Sequence, residues 1–434
     1  MYSTLNLKKY LLALIVSAGL LPVHAQDVSY ARKVVKTLAS PAFKGRGYVA
    51  NGDKLASAFI ADEFKKSGLI PLNKGSYFQD YDLAANTFPG KVEVKLNDQL
   101  LRTAVDYLVS ATSPSVKGSY PVVYADRSMI RSSEQVLALV QKARTSFIML
   151  DNRIPAAESA AEKQQIDALV NALKNDPQLD FKGLLLYTTD KLTWTSLTYQ
   201  SPRTVITINK KELDPKTVQG ISADIEAEFV PRYTTRNVAG MIKGSSGSDS
   251  TIVISAHFDH IGMMGKKVYF PGANDNASGV AMMLSFVKYF SKNKPQYNTV
   301  FIGFSGEEIG LLGSKAFVAN PLIKLEEIKF LLNFDLAGTG EEGIKVVNGT
   351  IFKDKFDTLQ KLNAQYKLVP KVESRGEACN SDHCMFYQKG VPSLFIYTQG
   401  GISAYHDIYD KAETLPFTEF EDYFKLMTKF IETL

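Results

Sequence analysis

The chain has 434 residues, 45% hydrophobic and 22% charged, the balance of a soluble globular protein rather than a disordered one. That length exceeds one ordinary domain and suits two or three. The formal charge of +5 falls to +3 once residues 1–25 are set aside, since Lys8 and Lys9 leave with no acid. So small an excess argues against nucleic acid or another polyanion as a partner.

Lys8 and Lys9 precede an apolar run from Tyr10 to Leu21, which stops at Pro22 and leads to Val23-His24-Ala25 ahead of Gln26. A basic head, a short apolar core and small residues at the cleavage point describe a cleavable secretory signal over residues 1–25. A membrane anchor needs about 18 to 20 unbroken apolar residues, and no later segment supplies them. The mature protein is therefore expected in the periplasm or outside the cell, with no membrane span. Cys379 and Cys384, in CNSDHC, are the only cysteines, and one short disulfide or two reduced thiols fit that setting equally.

Residues 29 to 68 read as mostly helical, broken at SPAFKGRGYVANGDK and resuming as a helix over Lys54–Lys66. After Tyr81 the pattern changes to short β-rich runs (KVEVKL, YPVVYA, SFIMLD, GLLLYTT) with one helix over Glu158–Lys174, which reads as an α/β insertion. A second change falls near Val230-Pro231. From Asn237 onward apolar strands at VAGMIKG, TIVISAHF, TVFIGFS, KFLLNFDL and SLFIYTQ alternate with helices beginning near Ser278, Lys315, Lys353 and Phe417. That alternation predicts an α/β fold with a mixed, mostly parallel sheet covered by helices on both faces. The expected divisions are a helical lead at 26–84, an insertion at 85–228 and a catalytic unit at 229–434. In such a sheet ligands gather at the carboxyl ends of the strands.

The chemistry-bearing residues concentrate there. Beyond residue 25 the chain has four histidines, His257, His260, His383 and His406, each within three residues of an acid. His257 ends the run TIVISA, and alternation places Asp259 on the same side of the chain. A metal-bound imidazole commonly hands its other N–H to a carboxylate, so Asp259 is the candidate partner of His257. In GANDNASG a helix start accounts for the caps, but not for the small residues crowded around Asp275, which suit a carboxylate bridging two cations about 3.5 to 4 Å apart. In FIGFSGEE a strand stops at Ser305-Gly306 and Glu307-Glu308 follow, so one carboxylate can bind metal while its neighbour acts as base. Asp335 ends KFLLNFDL, and Tyr405-His406 lie beyond SLFIYTQ. Ser381-Asp382-His383 reads as a pocket-shaping element. Phe386, Phe395 and Tyr397 are candidates for an apolar pocket wall, although plain core positions account for them too.

HFDH, GANDNASG, FSGEE, NFDLAG, SDH and YHD, in that order over residues 257–407, resemble the di-zinc aminopeptidase family of peptidase clan MH, which includes bacterial leucyl aminopeptidases and relatives of glutamate carboxypeptidase II. The resemblance covers the C-terminal half; more weakly, residues 85–228 look like a protease-associated insertion domain. It implies two Zn²⁺ ions, one held by His257, Asp275 and Asp335 and the other by Asp275, Glu308 and His406, with Asp275 shared. It further implies Glu307 as general base, Asp259 as the support of the first histidine, Tyr405 as an oxyanion stabiliser and a cis Asp275–Asn276 peptide. Asn274 stands where many relatives have Asp, which implies a change in metal affinity at most. The implied activity is an exopeptidase acting on peptides through a metal-bridged hydroxide, foremost an aminopeptidase. A carboxypeptidase or dipeptidase, a glutaminyl cyclase-like enzyme and, more remotely, a non-catalytic binding protein stand as alternatives on the same scaffold.

Overall fold

The computed structural model describes residues 28–434, so the signal expected over 1–25 lies outside the described residues. The helix Val28–Leu38 buries Ala31, Val34, Val35 and Leu38, one stripe at helical spacing. A tight turn at Pro41–Arg46 follows, and then the helix Gly52–Lys66, which buries Ala56, Ile60 and Phe64.

The larger sheet has nine strands. Those used below are β1 (Phe78–Thr87), β2 (Glu228–Ile242), β3 (Thr251–His257), β4 (Asn298–Phe304), β5 (Ile328–Asp335), β6 (Gly343–Val347) and β7 (Ser393–Gln399). Their spatial order is β2-β4-β3-β5-β7-β6, with β1 paired to β2. β4-β3-β5-β7 run parallel, while β2 joins β4 and β6 joins β7 in antiparallel pairs. Every residue of β3 and β4 is buried, which is why both read as unbroken apolar runs. Alternate side chains enter different cores. Ile252, Ile254 and Ala256 of β3 pack with the helices Val28–Leu38, Gly279–Lys292 and Phe420–Ile431, whereas Val253 faces Phe317 and Phe386 across the sheet.

A second sheet of eight strands comes entirely from residues between Val92 and Ile225. Its centre is parallel, with Val116–Asp126, Phe147–Asp151, Gly183–Tyr187 and Thr204–Ile208 in sequence. The helix Ala160–Asn175 starts at a reciprocal cap between Ser159 and Glu162. The core of this unit is not closed on itself: Ile261, Met264 and Phe270 from the C-terminal half pack among Phe88, Trp194 and Ile206. Cys379 and Cys384 form a disulfide. Among the described residues, no helix is long and apolar enough to cross a membrane.

Candidate metal centre

Parallel pairing brings the strand ends together. In register, His257 at the end of β3 stands beside Phe304 at the end of β4, and Ser305-Gly306-Glu307-Glu308 turn away immediately after it. Asp335 closes β5 next to Tyr397 of β7, whose exit leads to Tyr405 and His406. Asp275 arrives from the turn before the helix Gly279–Lys292, across a cis peptide to Asn276. Asn276 pins that turn to the end of β5, donating to Phe334 O and accepting from the backbone N–H of Gly279 and Leu336. Asn274 fastens the other side, its Oδ1 accepting from Gly338 N at 3.0 Å. The buried Asp410 accepts from the N–H groups of both Asn274 and Asp275.

The five expected ligands converge. His257 Nε2 lies 3.3 Å from Asp335 Oδ2, 3.6 Å from Asp275 Oδ1 and 4.0 Å from Glu307 Oε2. His406 Nε2 lies 3.1 Å from Asp275 Oδ2 and 2.9 Å from Glu308 Oε2. Asp275 thus turns one oxygen toward each imidazole. His260, which the sequence reading left without a role, faces the other oxygen of Glu308 at 2.6 Å. The donor atoms form two groups, His257 with Glu307 and Asp335, and His260 with Asp275, Glu308 and His406, each within 4.8 Å. Asp335 Oδ1 is buried with no hydrogen-bond partner, and Asp275 Oδ2, although close to His406, is in hydrogen-bonding alignment with nothing. Buried lone pairs without donors, on a mixed imidazole and carboxylate set, fit divalent transition cations.

The electrostatics point the same way. Burial opposes charge on His257, but Glu307 and Asp335 outweigh it and hold its pKa well above the ordinary value. His406 is likewise raised against burial, by Glu308 and Asp275, to about 11. A pocket that drives one buried and one half-buried imidazole toward protonation is one that stabilises positive charge. The adjacent glutamates part company: burial pushes Glu307 well above the usual carboxylate range, while His260 and His406 overcome burial and hold Glu308 well below it. Opposite environments on neighbouring carboxyls separate a proton acceptor from a ligand.

Asp259 faces His257 and also holds the turn that follows β4. Its carboxylate is 3.7 Å from His257 Nδ1, beyond hydrogen-bond reach. It accepts from Glu307 N at 3.2 Å, Glu308 N at 3.3 Å and the Tyr48 hydroxyl at 2.7 Å. The ring of His257 meets the backbone carbonyl of Asp259, at 3.3 Å. Tyr48 in turn accepts from Gly306 N at 2.7 Å, so Asp259 and Tyr48 together hold the turn that presents Glu307 and Glu308.

A cavity of about 170 Å³ opens over these groups, lined also by Tyr405, Phe395, Tyr397, Arg375 and Asn380. Tyr405 is 47% exposed and stacks on the His406 ring at 4.1 Å. Phe386 does not join Phe395 and Tyr397 in the wall; it is fully buried against Phe304 and Phe317. Ser381, Asp382 and His383 are buried beside the site, with Ser381 accepting from Asn333 at 2.8 Å. Sequence reasoning also missed Arg46. Its guanidinium is fully buried, and its five bonds go to the carbonyls of Leu38, Phe258, Pro271, Gly272 and Asp275. The available signal was an arginine between two glycines; Gly45 and Gly47 abut the backbone of Gly262 with no room for a side chain.

Residues 237–431 match the model of peptidase family M28. A probable leucine aminopeptidase of Arthroderma otae is 32% identical over 192 residues, 41% of this chain and 50% of that protein. Aminopeptidase YwaD of Bacillus subtilis is 28% identical over 190 residues, 42% of this chain and 40% of that protein. The chain therefore spans half or less of the length of these relatives. In three dimensions it has the fold of BSAP, a zinc aminopeptidase from Bacillus subtilis, with a TM-score of 0.65 at 17% identity, over 94% of this chain and 95% of that one. The segment that matches the family M28 model is the one that carries His257, Asp275, Glu307, Glu308, Asp335 and His406.

Proposed function

We propose that the protein is an exported aminopeptidase that works with two zinc ions, one held by His257, Asp275 and Asp335 and the other by Asp275, Glu308 and His406. The observation that carries this reading is the placement of Asp275, with one carboxylate oxygen toward His257 and the other toward His406. Bound there, the ions supply Lewis acidity, bringing the pKa of water from 15.7 toward about 7 and polarising a carbonyl. Glu307, whose Oε2 lies 4.0 Å from His257 Nε2, takes the proton of the attacking water and delivers it to the leaving amine. Asp259 and Tyr48 hold the Glu307 backbone during both transfers. The Tyr405 hydroxyl donates to the developing oxyanion; burial first, and then Asp275 and Glu308, raise its pKa so that it keeps its proton.

The same reading assigns 26–84 and 229–434 to the peptidase unit and 85–228 to an inserted domain of the protease-associated type. The leader at 1–25 supports export, and the Cys379–Cys384 disulfide suits an oxidising compartment.

Glu307→Gln is expected to bind zinc as the wild type does while turnover of leucine p-nitroanilide falls by about 10²–10⁴-fold. Near-normal turnover in that variant would remove Glu307 as the base. A chelator is expected to abolish wild-type hydrolysis and Zn²⁺ to restore it. Acetylated peptides are expected to resist, and their cleavage would point to action at the other chain end.

A further inference from the structure

The eight-stranded unit reaches the metal centre through one strap, residues 191–196. Trp194 N donates to His406 O at 2.9 Å, and His406 Nδ1 lies 2.9 Å from Trp194 O. The two residues are thus joined by a reciprocal pair of bonds, one through the imidazole. Three residues earlier, the Lys191 ammonium donates to Ser403 O at 2.7 Å and Tyr405 O at 3.3 Å, and pairs with the buried Asp407 carboxylate at 2.6 Å. Lys191 therefore grips the chain on both sides of His406. That grip acts on a strained residue, because His406 has φ of +52°, a left-handed conformation that a non-glycine residue keeps only when its surroundings hold it.

The strap is itself anchored. Trp194 Nε1 donates to Val109 O at 2.7 Å, and its ring stacks on Phe270 at 4.9 Å. Phe270 follows the turn that contains His260, so the strap touches both loops that carry histidine to the second group of donors.

We propose that Lys191 and Trp194 are positioning residues of the metal centre: the Trp194 carbonyl holds His406 with Nδ1 protonated and Nε2 turned to Asp275 and Glu308, and Lys191 fixes the backbone around it. This rests on the zinc reading above and gives the eight-stranded unit a defined part in it. A second partner on a ligating imidazole sets its tautomer and orientation, and such partners are worth about 10–100-fold in metal affinity or activity. The effect falls first on the ion that His406 would hold, because among the described residues the side chains of His257 and Asp335 make no bond to the strap.

The test is Lys191→Met in the full chain, stripped with a chelator and titrated with Zn²⁺ against a chromophoric competitor. The Lys191 side chain is 46% exposed, so its replacement opens no cavity. The wild type is expected to take two ions. Lys191→Met is expected to keep one at wild-type affinity and bind the other about 10–100-fold more weakly, with kcat on leucine p-nitroanilide falling in parallel and KM within about twofold. Lys191→Arg, which keeps charge and donors, is expected to restore both. A merely structural contact predicts a lower melting temperature with both ions weakened together, and that outcome overturns the proposal, as does wild-type affinity for both ions in Lys191→Met. Should Lys191→Met not fold, Lys191→Gln is read by the same criteria. A wild-type chain that binds no zinc defeats the zinc reading itself, a result distinct from any of these.

Discussion

Histidines gathered at one end of the sheet are shifted in opposite directions here, and the cause is local. His257 and His406 face carboxylates and are raised, whereas His383, buried against the Phe395 ring, is pushed down to about 4 by desolvation. The sign of its effect on stability follows. Between about pH 6.5 and 4 the unfolded chain carries a proton on this residue and the folded chain does not, so stability is full above the window and declines as pH falls through it, by about 3 kcal/mol in all. His383→Gln, compared with wild type in metal-free urea unfolding at pH 7.5 and 4.5, is expected to lose much of that decline; equal declines would mean that His383 is protonated in the fold. At this scale the sequence exposed much of the site. Few histidines, each beside an acid, marked His257 and His406, and small residues marked Asp275. Asp259 was found, but its bonds to Glu307 N, Glu308 N and Tyr48 were not, because they depend on how the turn after β4 folds back.

Among elements, the alternation of apolar strands and helices after Asn237 was readable because buried parallel strands carry no polar face. Strand direction was not, since an apolar run looks the same in either sense; the antiparallel β2 and β6 flank the parallel centre as β4 and β7 neighbours. The short turn at Pro41–Arg46 was read as a loop, although it delivers the most densely bonded side chain near the site. Its five N–H donors meet five carbonyls drawn from the first helix, the end of the β3 turn and the Asp275 turn. Arg46 therefore joins three segments that local patterning treats as independent. Arg46→Met is expected to cost at least about 3 kcal/mol, since each buried acceptor left without a donor costs about 1–3 kcal/mol. Arg46→Lys is not expected to rescue it, because an ammonium has three donors and no planar fork. Urea midpoints decide the point, and a lysine variant with the wild-type midpoint would show that charge alone is what the pocket requires.

Across the whole molecule the two sheets are joined by packing as well as by chain. β1 and β2 form the long ladder between them, and Ile261, Met264 and Phe270 complete the smaller unit's core. Two units that share buried apolar side chains lose area from both cores when either opens, and this couples their unfolding. The chain contains one tryptophan, Trp194, and it lies at that junction, stacked on Phe270 and bonded to His406. Its fluorescence is therefore a probe of the junction alone, while far-UV circular dichroism reports both sheets. The expected result on heating is a single transition at one midpoint by both signals. Adding Zn²⁺ to metal-free protein is expected to raise both midpoints together, by an amount set by how far the free ion exceeds its dissociation constant. A red shift of Trp194 emission several degrees below the loss of circular dichroism would mean that the junction opens on its own, and that the shared core is too small to bind the two units into one cooperative whole.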